Sequence, residues 1–382
     1  MIIKLINSIT DIGSIQWNEL LNSNYPFLRY EFLAALENSG AVSETSGWLP
    51  RHCLVYETQG DSDVLIAIMP LYEKHNSNGE YIFDHIWADA YHRNGLAYFP
   101  KWVTAVPFTP CEGARLLINK TADPIIVYQA ITSFLKSQAV ENNISSWHCL
   151  FPTKPEIDIL READLIIRET VQFRWANQNY KHFDDYLSHF SMKKRKNVRR
   201  ERRWVQEQGI ELVKISGSDI TEQQWQAFYP FYQMTYLKRN MSPYLSLSFF
   251  HELAATMPEQ LLLIMAVKNG VYIGAALSFV GDDTLYGRYW GCFDEYNSLH
   301  FEACYYQGLE YCIEHKLQRF DSGAQGEHKI SRGFQPVTTY SAHWINDSQF
   351  STAIDRYVKQ ETQSMAEYKK SAAQLLPFKT EE

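Results

Sequence analysis

The sequence predicts an α/β (α+β) chain of two similar halves, each a mixed, largely antiparallel sheet flanked by helices. Three observations lead there. At 382 residues, with 45% hydrophobic and 14% aromatic content, the chain exceeds one ordinary core and can bury two. Stretches of two-residue apolar alternation are interleaved with stretches of helical spacing along its whole length. A pattern also recurs. Ile66-Ala67-Ile68-Met69-Pro70-Leu71 is similar to Gly274-Ala275-Ala276-Leu277-Ser278-Phe279, and each is followed by a turn and an aromatic strand reaching Trp87 or Trp290. Duplication of one meander–helix–strand unit explains both length and recurrence.

In the first half, Phe27, Leu28, Phe32 and Leu36 give Pro26 to Leu36 a helical spacing. Strand-like runs follow at Cys53 to Glu57, Val64 to Tyr72, Tyr81 to Trp87 and Trp102 to Val106. Gly60-Asp61 and Asn76-Ser77-Asn78-Gly79 supply turn chemistry between them. Asp123 caps a helix from Pro124 to Val140, with proline in its first turn, and Trp147 to Phe151 is a further strand. In the second half, Ile166 to Trp175 reads as a strand and Phe183 to Gln208 as one or two helices closed by Gly209. After a helix at Ile220 to Leu237, three runs form a meander: Leu261 to Val267, Val271 to Val280 and Thr284 to Trp290. Its first turn is Asn269-Gly270, the strongest short hairpin signal. Asn297 or Ser298 caps a helix to His315, a strand spans Leu317 to Asp321, and a last helix runs from Ser351 to Ala373. The division expected is 1–164, 165–350, and a C-terminal helix and tail at 351–382.

Composition narrows the class. Met1 to Trp17 has one lysine and an apolar stretch broken by polar residues, unlike a signal peptide. No apolar run approaches the ~20 residues that span a bilayer. The six cysteines show neither C-x-x-C nor zinc spacing and sit in apolar surroundings, as reduced thiols in a cytoplasm do. No metal cluster and no G-x-S-x-G turn is present, so metal and serine-hydrolase readings are weak. A net charge of −8 disfavours a general nucleic-acid surface, DNA included. Lys193 to Arg203 departs from that average. Eight basic residues stand against Glu201, +7 in a segment that leaves −15 for the rest.

Three stretches of the sequence carry a resemblance. The first is Gly47-Trp48-Leu49-Pro50-Arg51-His52 with Gly79 to Tyr91, Ala105 to Pro110 and Gly113-Ala114-Arg115-Leu116-Leu117. The second is the basic helix, entered through Phe183-Asp184-Asp185-Tyr186-Leu187. The third is Gly323-Ala324-Gln325-Gly326-Glu327-His328-Lys329-Ile330-Ser331-Arg332-Gly333-Phe334, with Thr338 to Trp344 behind it. Together they resemble the FemAB-like bacterial family of N-acyltransferases in the acetyltransferase (GNAT) superfamily, relatives of the peptidoglycan-bridge peptidyltransferases. The resemblance implies tandem GNAT-like domains and an acyltransferase acting on an amine of a small molecule or peptide. The pyrophosphate loop of ordinary acetyltransferases, Q/R-x-x-G-x-G/A, is missing; Trp290-Gly291-Cys292-Phe293-Asp294-Glu295 stands in its place. An aminoacyl-tRNA, as the peptidyltransferase relatives use, therefore stands beside acyl-CoA and acyl-carrier protein as donor. No tightly bound cofactor is expected.

Candidate site residues fall in four groups. Lys196, Arg199, Arg200 and Arg203 share a helix face at i, i+3, i+4, i+7, and guanidinium donors suit a phosphorylated ligand such as coenzyme A or a tRNA acceptor end. The competing reading is a solvated charged face. His85 and Asp89, at an expected strand end, are candidates for taking the proton from an attacking amine, or for structural pairing beneath a loop. The glycine-rich loop with Gln325, Gly326, His328 and Arg332 follows a strand, where function concentrates. Its Lys329 matches the lysine that, in related peptidyltransferases, is held to stabilise the oxyanion. Tyr286, Arg288 and Trp290 alternate on one strand and are expected to line the donor site. Three classes stay open: N-acyltransferase using an acyl thioester, aminoacyl-tRNA-dependent peptidyltransferase acting on a peptidoglycan precursor, and a non-catalytic precursor-binding module.

Overall fold

The computed structural model describes residues 1–324 and 326–379. The chain forms two compact units, Met1–Thr170 with Thr338–Glu367, and Val171–Val337 with Tyr368–Glu382. Neither unit is one continuous stretch, whereas the expected division cut the chain at 164 and 350.

The first unit begins with β1 (Ile2–Ile6), α1 (Ser14–Glu19), α2 (Tyr30–Asn38), β2 (Trp48–Pro50), β3 (His52–Gln59) and β4 (Ser62–Met69). It continues through β5 (Tyr72–Lys74), α3 (His85–Arg93), β6 (Lys101–Thr104), β7 (Leu117–Ile118), α4 (Pro124–Glu141), β8 (Ser146–Leu150) and α5 (Lys154–Glu162). Strand β9 (Ile166–Ala176) then leads into the second unit. There α6 (Phe183–Ser188), α7 (Met192–Glu207), β10 (Ile210–Ser216), α8 (Glu222–Leu237) and α9 (Leu247–Thr256) precede the meander β11 (Leu261–Lys268), β12 (Val271–Val280) and β13 (Thr284–Cys292). Helix α10 (Leu299–Phe301) passes through a π turn, Glu302–Tyr306, into α11 (Gln307–Glu314), and β14 (Arg319–Asp321) follows. Strand β15 (Gln335–Ile345) returns to the first unit, where α12 (Ser348–Ala373) begins.

In the first unit β1, β3, β4 and β7 form one antiparallel sheet, and β15, β8, β6, β5 and β2 another, with β6 and β8 parallel. Helix α4 is capped as its sequence predicts: Asp123 accepts from Ile125 N–H. It lays Val127, Tyr128, Ile131 and Leu135 over a core with Val55, Ala67, Trp102 and Trp147. One expectation fails here. Tyr81 to Trp87 is no strand; a loop runs to Asp84 and α3 starts at His85. The reason is the spacing of Trp87 and Tyr91, which buries both on one helix face. The suggested repeat therefore loses its first aromatic strand.

His148 and His343 lie buried in this unit with their Nδ1 atoms 2.6 Å apart, one donating to the other. Burial pushes His148 down to about 3, with Lys101 and Arg168 adding to it and Asp84 opposing. Burial, then His148, Arg168 and Lys101, hold His343 well below the ordinary imidazole value. Both are neutral when folded, so between pH 6.5 and 4.5 the unfolded chain binds the extra protons and stability falls with acid. Glu80, raised to about 7 chiefly by burial, acts in the opposite direction over that range. These three groups together give a loss of about 1.4 kcal/mol per pH unit, one histidine uncompensated, and the lowered His300 and His328 of the second unit act in the same direction. Urea unfolding at pH 6.5, 5.5 and 4.5 measures it; a flat profile would contradict a neutral buried pair.

The second unit's sheet runs β10-β11-β12-β13-β14-β9, antiparallel except between β13 and β14. Asn269 and Gly270 both have positive φ, 52° and 76°, as the tight hairpin turn requires. Helix α8 lies so close to β13 that a Cβ on Gly291 would stand 1.7 Å from the Phe231 carbonyl oxygen. Helices α5 and α9, absent from the sequence reading, cover the two units' cores with Ile157 and Leu160, and with Phe249, Phe250 and Leu253.

Candidate functional site

Strands β13 and β14 pair only from Thr284↔Arg319 to Tyr286↔Asp321. Beyond that rung β13 continues to Cys292 without β14 beside it, so the sheet opens. A cavity of about 130 Å³ occupies the opening, lined by Gly287 to Trp290 on one side and by His300, Tyr305 and Ser322 on the other. The strand is irregular at this point. Leu277 pairs Tyr289 while Ser278 pairs Gly287, which leaves Arg288 as an extra residue in a bulge. The bulge breaks the alternation expected of Tyr286, Arg288 and Trp290. Arg288 and Trp290 line the cavity, whereas Tyr286 is buried at the last β14 rung and does not.

The loop after β14 is tied back by its own residues. Arg174 Nε lies 3.1 Å from Asp321 Oδ2, and Asp321 Oδ1 accepts from Gly323 N–H at 3.0 Å. Lys329, 2% exposed, donates from Nζ to the carbonyls of Ser322 at 3.0 Å and Gly323 at 2.7 Å. Its ammonium thus stands directly behind the end of β14. Gly326, at φ 117°, opens a 3₁₀ turn, Glu327–Arg332, and the His328 ring packs back against this glycine. His328 Nε2 and the Tyr305 hydroxyl are 2.8 Å apart. Gln325 lies outside the described residues. Arg332 turns away from the cavity: it donates to Glu201 Oε2 at 2.7 Å and stacks 3.4 Å over Phe301. The Tyr306 hydroxyl donates to the same Glu201 oxygen.

Electrostatics at the cavity favour neutral imidazole and thiol. Burial, then His328, Arg332 and Lys329, push His300 down to about 4. Burial likewise lowers His328, with Arg332 and Lys329 adding to it. Burial holds the Cys304 thiol well above its ordinary value, so it is no thiolate nucleophile. A second, wider cavity of about 400 Å³ shares Trp290 and His300 with the first and is edged by Lys238 and Arg239. His300, Cys304, Tyr305 and Ser322 were absent from the sequence candidates. Ser322 had a signal, since it immediately follows the strand already singled out.

Helix α7 sorts its charges by face. Arg202 points inward, to Glu302 at 2.9 Å and Glu310 at 2.6 Å, with Phe183 beneath it. Lys196, Arg199, Arg200 and Arg203 are all exposed, as the spacing predicts. Arg199 pairs Asp184 at 2.9 Å and Arg203 approaches Glu207 at 3.5 Å. Lys196 and Arg200 have no ion pair among the described residues; Arg200 lies over the Trp204 ring.

His85 and Asp89 lie in the first unit, exposed on α3, and Lys329 lies in the second. The acid beside them, Asp84, is buried and occupied. With Glu80 it holds the fully buried Lys101, which is 2.8 Å from Glu80 Oε2. Tyr98 donates to Asp84 at 2.7 Å. Among the described residues no group of three or more His, Cys, Asp or Glu side chains is placed to hold a metal ion.

Residues 8–380 match the FemAB_like family, described as peptidoglycan biosynthesis/recognition. The chain belongs to that family. The mixed, largely antiparallel sheets flanked by helices are the α/β (α+β) class that the sequence predicts. FemX superposes with a TM-score of 0.52 at 10% identity, over 93% of this chain and 100% of its own. The C-terminal domain of a candidate lysylphosphatidylglycerol synthetase from Agrobacterium fabrum superposes with a TM-score of 0.52 at 8% identity, over 92% and 97%. At such identities the likeness speaks for fold alone. No curated protein matches the sequence. No helix among the described residues of this FemAB-like protein is long and apolar enough to cross a membrane.

Proposed function

We propose that this FemAB-like protein is a cytoplasmic N-acyltransferase that moves an acyl group from acyl-CoA or acyl-carrier protein to an amine of a small molecule or peptide. The observation that carries the reading is the opening between β13 and β14, with a cavity in it and the Lys329 ammonium behind the end of β14. The amine nitrogen attacks the acyl carbonyl carbon, a C–N bond forms and the bond to the departing sulfur breaks. The proton shed by nitrogen balances the one taken up by the leaving group. Negative charge gathers on the carbonyl oxygen meanwhile, and a fixed cation in a partly dry site stabilises it. Neutral His300 offers a lone pair or N–H at the cavity wall, and Cys304, a protonated thiol, supports direct transfer over an acyl-cysteine route.

The exposed cations of α7 favour a second donor, an aminoacyl-tRNA, with a peptidoglycan precursor as acceptor. In that case an ester C–O bond breaks in place of the C–S bond. Thermal shift and mass spectrometry with acyl-CoAs, acyl-carrier proteins and aminoacyl-tRNAs distinguish the two. Consumption of tRNA donors alone would overturn the thioester reading, and tight precursor binding without consumption would make the protein a recognition module. Whichever phosphorylated donor binds, Lys196→Ala with Arg200→Ala is expected to weaken it about tenfold and to flatten the dependence of affinity on salt. Unchanged affinity and salt slope would leave α7 a solvated face.

A further inference from the structure

We infer that Trp290, His300 and Ser322 set the length and polarity of the group transferred, a specificity role resting on the reading that the smaller cavity holds the reacting acyl group. These two cavities have only Trp290 and His300 in common. The two rings stand 5.7 Å apart, tilted by 56°, and form the wall between the spaces.

Neither ring is loosely held. The Trp290 carbonyl accepts from Thr235 Oγ1 at 2.5 Å, its strand position pairs Ala276, and its side chain packs on Ile264, Ala276 and Ala303. His300 is boxed by Tyr305 and His328, with centroids 5.4 and 5.8 Å away. The wall therefore fixes the inner space at about 130 Å³. A water's share of liquid volume is about 30 Å³, so the space takes roughly four or five non-hydrogen atoms. A short acyl group fits; an eight-carbon chain meets the indole.

The polarity comes from Ser322. Ser322 lines this cavity, and its buried hydroxyl oxygen has no hydrogen-bond partner among the described residues. A buried hydroxyl left unpaired costs stability, and a ligand atom that hydrogen-bonds it recovers that cost. The inner space thus favours a short group carrying a hydroxyl or amino substituent over an apolar one of equal size. Lys329 holds the Ser322 carbonyl and so fixes the backbone that carries this hydroxyl.

The test is a binding series on the intact protein by calorimetry. Acetyl-, hydroxyacetyl-, butanoyl- and octanoyl-CoA are the probes, with glycyl- and leucyl-tRNA as the corresponding pair for the other donor. Wild type is expected to bind short groups at least tenfold more tightly than octanoyl or leucyl. Trp290→Ala should remove that preference, and Trp290→Phe, less disruptive to the strand, should reduce it. Ser322→Ala should erase the advantage of hydroxyacetyl over acetyl without changing the length profile. A length profile that survives both Trp290 substitutions, with folding verified by circular dichroism, overturns the wall. Hydroxyacetyl selectivity that survives Ser322→Ala overturns the polar contact. A wild type that binds none of the probes overturns the acyl-transfer reading itself and this inference with it.

Discussion

Replacing Lys329 with Met is expected to lower the rate of transfer by about 10²–10³ while leaving donor affinity nearly unchanged. Met keeps the length of the side chain and removes its charge. In the native loop that charge sits on the Ser322 and Gly323 carbonyls, 3.0 and 2.7 Å away, at the edge of the opened sheet. A fixed cation favours the tetrahedral intermediate more than the neutral ground-state carbonyl, so the loss belongs in kcat and not in KM. A purely structural lysine would behave differently, changing the unfolding midpoint first. His300 supplies an independent readout. Burial is the main cause of its low pKa, about 4, and Lys329 contributes to it. In Lys329→Met its imidazole should titrate higher, measurable by NMR. Lys329→Arg, which keeps the charge on a planar head, should retain part of the rate. Turnover at the wild-type rate in a normally folded Lys329→Met protein would remove this residue from the mechanism.

The largest stability effect is expected at Lys101. Lys101→Met should cost about 3–5 kcal/mol at pH 7, because it leaves two buried carboxylates without their cation. Burial pushes Asp84 upward, but Lys101, His148 and the hydrogen bonds from Lys101 and Tyr98 outweigh it and hold the acid well below its ordinary range. Glu80 reaches about 7, burial prevailing over the pull of Lys101. Without the lysine Asp84 loses what holds it low and Glu80 rises further when folded. A raised carboxyl contributes stability that is present below its unfolded value and lost as pH climbs through the folded one. The deficit of Lys101→Met relative to wild type should therefore grow from pH 4.5 toward pH 8, by up to about 1.4 kcal/mol per unit through Asp84, with Glu80 adding to it only above about 7, where it titrates in the wild type. Urea unfolding across that range measures it, and a deficit independent of pH would mean that lost packing, not charge, is responsible.

Much of the fold was legible because local chemistry and tertiary structure agree. Asn269-Gly270 forces the hairpin, and Asp123 before Pro124 starts the helix wherever it packs. Helix α3 is hidden in the sequence because the aromatic density of Tyr81 to Trp87 resembles a strand; only the four-residue step from Trp87 to Tyr91 records the helix. The inward turn of Arg332 could not be read at all. Its partner Glu201 is 131 residues away, and its apparent membership of a catalytic loop comes from sequence proximity alone. The Arg288 bulge is similarly silent, since it depends on what β12 pairs with across the meander. Charge spacing succeeded better on α7, where the four predicted residues are all exposed, because a helix face follows from sequence alone.

The return of residues 338–367 to the first unit bears on how such proteins can be taken apart or recombined. Strand β15 pairs β8 through Ser341↔Leu150 to Ile345↔Ser146, while β6 holds the other side of β8. A gene fragment ending at Thr170 would encode β8 with one flank bare, an open edge that invites self-association. Shuffling at a single crossover would likewise sever a sheet. The heritable module in this architecture is the whole chain, and its halves are partners by construction.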